Sequence, residues 1–381
     1  MPTPSLFRLR LTASAVFWSA LLSAQTPSEQ ASPAQNGTFQ RVQFSEPAVP
    51  PDPLELVTGD AQPVQTVEQR SAVMNALSNA WNLSNVRAYP YDRKTTFTSF
   101  GSTATEGIWQ MEDTSPGGRI YRWTAQGPSY SATNLFNNQT LYSTQTGVAP
   151  IPVRLAQVRS AIFFMRPVIG PRATLRTAAA NVNGVAVDCV LLSHMQAAKD
   201  AAGGRRWEEE EYCVDKASGL LITYSPAPGL YVLYDYSQAL HFHDRLIPNK
   251  FTITQAGRTM IEAQTTAVGD PPKDPLLYQP NGMNQTGVGS LMTSPWIMNR
   301  RAPSALVSPG AADLVVLHGM KSKTGQIGDI ELLATSNNAL TPRAMDYALK
   351  WQQSNSEDVE PGATPLSHEV IMMFTFFGAP R

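Results

Sequence analysis

Few residues of this 381-residue chain have types and spacing that can do chemistry. Lys323-Thr324-Gly325 matches a triplet of acyl-transfer sites. Those sites also need Ser-x-x-Lys, and no lysine here has Ser three positions before it. The sequence contains neither a Gly-x-Ser-x-Gly elbow nor a phosphate-cradling Gly-x-x-x-x-Gly-Lys. His241-Phe242-His243-Asp244 puts two imidazoles on alternate residues, hence on one face of a strand. A structural metal needs about four ligands, and His194, His318 and His368 are distant in sequence. Glu208 to Glu211, after Arg205-Arg206, read as a solvated hairpin tip whose acids divide between two faces. No nucleophile, base and orienting group assemble from these motifs. The expectation is a protein that is not an enzyme, with no catalytic residue, metal or cofactor.

The two cysteines carry a firmer signal. Residues paired across an antiparallel hairpin have a constant index sum, and 189 + 213 = 402 centres a turn on Ala201, within Lys199-Asp200-Ala201-Ala202-Gly203-Gly204. Cys189 and Cys213 are therefore expected to form a cross-strand disulfide, which persists in an oxidising compartment. The N-terminus agrees. Arg8 and Arg10 precede an apolar run from Leu11 to Leu22, and Ser23-Ala24 lead into polar sequence, the order of a secretory signal over residues 1–24. A run of that length spans about 18 Å as a helix, short of the roughly 30 Å hydrocarbon core. Export to the periplasm is expected, with an uncleaved inner-membrane anchor as the alternative.

Elements must position these residues. Residues 25–65, rich in Pro, Gln and Ser, read as a linker. Thr66 and Gln69 form a capping box ahead of Val73, Leu77 and Trp81, which predicts a helix. Short aromatic and Thr-rich segments between Thr95 and Thr144, then between Thr174 and Thr266, predict antiparallel strands. A second helix interrupts them, opening at Pro152 and closing before Pro167. One antiparallel β-rich domain is expected over 66–267, a connector over 268–310, and a β-β-α-β module over 311–381, with a helix from Thr341 to about Gln353. The fold class is α+β. Charged residues are 15% of the chain and the net charge is −1, which excludes the basic surface that nucleic acid requires.

The C-terminal module resembles the C-terminal domain of the TonB energy transducers. Leu314-Val315-Val316 with Thr324-Gly325-Gln326-Ile327 match that family's strand, turn, strand. Ala344, Ala348 and Trp351 match its helix, and Pro361-Gly362-Ala363-Thr364-Pro365 the stretch before its last strand. Gln352-Gln353 depart from the family pattern. The resemblance implies a last strand that pairs with an envelope protein, such as an outer-membrane receptor in TonB-dependent transport. Val370, Met372, Phe374 and Phe376 would lie on one face of that strand, with Ile371 and Met373 on the other. Burial of the strand within the module or in a homodimer is the alternative. Residues 66–267 resemble the half-barrel of LolA/LolB-type lipoprotein carriers, which implies an apolar groove for a lipid or acyl ligand. The main reading is partner binding by strand addition; the alternative is a periplasmic lipid or lipoprotein carrier.

Overall fold

A computed structural model of the chain describes residues 57, 61–101, 106–146, 152–163, 167, 169–171, 173–193, 205–206, 209–288, 296–304, 312–321, 326–350 and 368–378. The signal and most of the linker lie outside the described residues.

Strand β1 (Gln62–Pro63) precedes helix α1 (Val67–Ser84), which opens on the expected capping box. Thr66 Oγ1 accepts from the Gln69 amide, and the Gln69 side chain accepts from the Thr66 amide. A meander follows in β2 (Tyr91–Ser99), β3 (Gly107–Gly117), β4 (Ile120–Gln126), β5 (Ser131–Asn137) and β6 (Thr140–Thr146). After helix α2 (Val153–Ile162) come β7 (Thr174–Val182), β8 (Val185–Ser193), β9 (Glu210–Asp215), β10 (Leu221–Ala227) and β11 (Leu230–Asp235). A separate hairpin, β12 (Leu240–Phe242) and β13 (Arg245–Ile247), leads to β14 (Lys250–Gln255) and β15 (Arg258–Gly269).

These strands build one antiparallel sheet of order β1-β7-β8-β9-β10-β11-β14-β15-β2-β3-β4-β5-β6-β16, where β16 is Asn284–Val288. The joint is β15 against β2, with Ile261 opposite Ser99. Alternation decides which face is inner. Tyr91, Arg93, Thr95, Phe97 and Ser99 are all buried, and Trp109, Met111, Trp123, Ala125 and Ala132 continue that face across the neighbouring strands. Leu77 and Ala80 of α1 and Leu155, Val158 and Ala161 of α2 pack into the same core. Turns obey residue chemistry where φ must be positive. Asn183-Gly184, at +51° and +87°, links β7 to β8 as a two-residue hairpin loop.

The tail departs from expectation. Strand β17 (Trp296–Ser304), inside the expected connector, pairs in parallel with β20 (His368–Gly378). With β18 (Ala312–Lys321) and β19 (Ile327–Thr335) it forms a second sheet of order β17-β20-β18-β19. Helix α3 (Thr341–Lys350) covers one face, burying Leu340, Ala344 and Ala348 with Val315, Leu317, Val370, Met372, Phe374 and Phe376. The opposite face, Leu314, Val316, Leu333, Ile371 and Met373, joins the core of the long sheet. Gly229, in the β10–β11 turn, meets the Leu333 carbonyl so closely that a Cβ there would fall on it. The expected connector therefore contributes a strand to each sheet, and the two sheets share one core.

Candidate functional site

The inner face of the long sheet carries charge where the pattern would permit only apolar groups. Arg93, Asp113 and Trp123 are cross-strand neighbours in one row. Arg159 descends from α2 with its guanidinium 4.0 Å from the Trp123 ring centre and 3.5 Å from an Asp113 oxygen. Tyr121 donates a short hydrogen bond to Asp113. Burial pushes the Asp113 carboxyl up, while Arg159 and the Tyr121 hydrogen bond pull it down. Arg93 is pushed down by burial, against the attraction of Asp113.

Helix α2 presents a second polar set towards the other sheet. Arg154, fully buried, donates to Gln157 at 2.9 Å and to Glu331 of β19 at 2.7 Å, and Gln255 of β14 donates to the other Glu331 oxygen at 2.9 Å. Ser160 donates to Glu369 of β20 at 2.9 Å, and the same carboxyl meets His318 Nε2 at 2.8 Å. Glu369 stands between the serine and the histidine, so the histidine is not placed to take a proton from the hydroxyl, as acyl transfer would require.

Beside α1 runs a groove of about 750 Å3. Val190, Val214 and Ala178 of the sheet line one side, and Ala72, Val73 and Ala76 of the helix the other; Asp188 and Lys216, paired at 2.9 Å, sit at its rim. The small residues of α1 leave room that larger side chains would fill.

Cys189 and Cys213 are directly opposed in the β8–β9 register and bonded, with Cα atoms 4.0 Å apart. The turn at 199–204 lies outside the described residues. Glu211 stands near both sulfurs, but these are bonded to each other and are not thiolates, so among the described residues this group offers a metal only one carboxylate. The acidic run is not a solvated tip. Glu209 accepts two bonds from Arg176, and Glu211 is buried against Arg205. Glu208 lies outside the described residues. The two histidines do not share a strand face. β12 ends at Phe242, and His243 occupies the turn at φ +52°, stacked on Tyr89 at 4.3 Å. Lys323-Thr324-Gly325 lies outside the described residues.

The last strand is placed differently from expectation. Val370, Ile371, Met372, Met373, Phe374 and Phe376 are all buried, and β20 is paired on one side with β17 and on the other with β18. The open edge expected of it is taken by β17. Sequence reasoning gave Arg154 and Arg159 no role, and both are buried. Arg93 and Asp113 were legible only through their parity with Phe97 and Trp109.

No protein-family model matches this chain, and no curated protein matches it. Among solved structures, the chain is similar to a LolA superfamily protein from Nitrosomonas europaea, at 9% identity and a TM-score of 0.36, over 54% of this chain and 96% of that one. It is also similar to a protein described as an outer membrane lipoprotein-sorting protein domain from Vibrio parahaemolyticus, at 7% identity and a TM-score of 0.36, over 54% of this chain and 98% of that one. Membership of the TonB family is not among the findings.

Proposed function

We propose that the chain is an exported, non-catalytic carrier of the cell envelope that holds an apolar chain, such as the acyl chain of a lipid or lipoprotein, in the groove between α1 and β7–β9. The groove carries this reading. Its volume of about 750 Å3 falls within the roughly 300–1,000 Å3 typical of ligand sites, and aliphatic side chains from helix and sheet face each other across it. The disulfide and the signal-like N-terminal sequence support the periplasm as the compartment. Titration of the protein with a fluorescent fatty acid tests it. Saturable binding is expected, and Ala76→Trp, at an exposed position lining the groove, is expected to weaken it at least about tenfold with unchanged circular dichroism. Equal affinity in the variant would refute the reading.

A second reading rests on β17, the outer strand of the second sheet, paired on one side only among the described residues. A strand from an envelope protein, such as an outer-membrane receptor, would add beside β17. Hydrogen exchange tests this: β17 amides must gain protection when the receptor is added.

A further inference from the structure

The inner face of the long sheet ends in charge beside α1. The alternation along β8 that turns Leu192 and Val190 into the core also turns Asp188 to that face, and Val214 is its partner in β9. Lys216, just past β9, continues the parity of Val214, its amide bonded to the Ala186 carbonyl at 3.1 Å. Asp188 and Lys216 pair at 2.9 Å with side chains 65% and 44% exposed, so both stay within reach of a ligand in the groove they line. The pairing engages one Asp188 oxygen, and the other has no partner among the described residues.

The groove beside α1 thus has a direction. One end lies by β1, where Gln62 is opposite Thr177 and Thr177 opposite Val190. The other lies at the turn after β9, where Gly219 sits beside Leu83 of the last turn of α1. Its charged lining residues, Asp188, Asp215 and Lys216, all gather at this second end. Asp215 has the opposite parity and gives both oxygens to the Ala217 and Ser218 amides, which leaves Asp188 and Lys216 as the groups a ligand meets. A purely anionic or purely cationic head gains from one of these and is repelled by the other, whereas a zwitterion satisfies both. The last turn of α1 carries no basic residue, so its carbonyl end adds negative character that favours a cation there.

We infer that the amphiphile held in this groove has a zwitterionic head, its ammonium on Asp188, its anionic group on Lys216, and its chain running towards Val190 and Val73. This inference rests on the carrier reading and names the class of ligand that such a carrier selects.

Equilibrium binding of labelled lauroyl lysophosphatidylethanolamine and lauroyl lysophosphatidylglycerol to the full chain, below their micelle concentrations and at low salt, tests this. The two lipids share chain and phosphate and differ in the amine. The ethanolamine lipid is expected to bind about fivefold tighter, the worth of one partly exposed ion pair. Asp188→Asn is expected to abolish that difference, and Lys216→Gln to weaken both lipids while preserving their order. Both variants replace partly exposed side chains, and circular dichroism checks that they fold. Ala76→Trp should weaken the two lipids alike, since it fills the stretch that holds the chain. Equal affinity of the two lipids for the unmodified chain overturns the head-group assignment, as does a preference that survives Asp188→Asn or unchanged affinity for both in Lys216→Gln. Saturable binding in any of these cases leaves the carrier reading standing. Absence of saturable binding by both lipids and by the fluorescent fatty acid refutes the carrier reading, and this assignment with it.

Discussion

Arg154 of α2 and Glu331 of β19 meet at 2.7 Å, and this pair joins the helix of the long sheet to an edge strand of the second. The guanidinium is fully buried and the carboxylate about a quarter exposed, so removal of the acid strands a buried cation. Glu331→Ala is expected to cost roughly 2–3 kcal/mol in denaturant unfolding, below the usual range for fully buried pairs because Glu331 is partly solvated. Arg154→Met with Glu331→Leu should recover most of that loss, since an apolar pair replaces two desolvated charges. A double variant no more stable than Glu331→Ala would contradict this.

Gly229 tests the seam between the sheets from the other side. Its φ of +78° and its approach to the Leu333 carbonyl leave no room for a methyl group. Gly229→Ala must part the β10–β11 turn from β19 and is expected to destabilise by about 1–3 kcal/mol. Increased hydrogen exchange in β19 would locate the damage.

The disulfide closes a 24-residue separation and should contribute on the order of 3 kcal/mol. Cys189→Ala with Cys213→Ala is expected to melt lower by that equivalent, and reducing agent should lower the melting point of the unmodified chain but not that of the variant.

Asp92 gives a pH dependence. Partial burial and the neighbouring Glu112 carboxylate push its carboxyl up to about 6 from an ordinary value of 3.8. The folded state then holds a proton that the unfolded chain has released. Its stabilising contribution is complete below about 4 and is lost as the pH rises through about 6. Asp92→Asn should flatten this stretch of the stability profile and raise the melting point at pH 7 relative to the unmodified chain.

Local rules carried far in the long sheet. The capping box at Thr66, the turn residues and the strand alternation are short-range signals, and the 402 index sum placed Cys189 opposite Cys213 because register is arithmetic once a hairpin is granted. What failed was non-local. Nothing within 296–304 announces a parallel partner some seventy residues later, so the strand read as connector and β20 as an open edge. Met372 and Met373 face apolar groups on both sides because two separate layers cover the sheet, a fact of assembly that no periodicity encodes. Arg154 and Arg159 were invisible for a related reason. Their burial depends on Glu331 and Asp113, which lie far away in sequence.

The central position of β20 also sets an order of events. It is the last of the described elements to be synthesised, yet β17 and β18 meet only through it. As the chain emerges, the β2–β6 meander and the β18–β19 hairpin can pair at once from neighbouring residues, whereas β17 waits for the residues from His368 onward. A nascent or nicked chain lacking them leaves β18 with an unpaired backbone edge where β20 belongs, a feature that invites pairing with other chains. Placing β20 in the middle makes its arrival the condition for joining β17 to the rest of the second sheet.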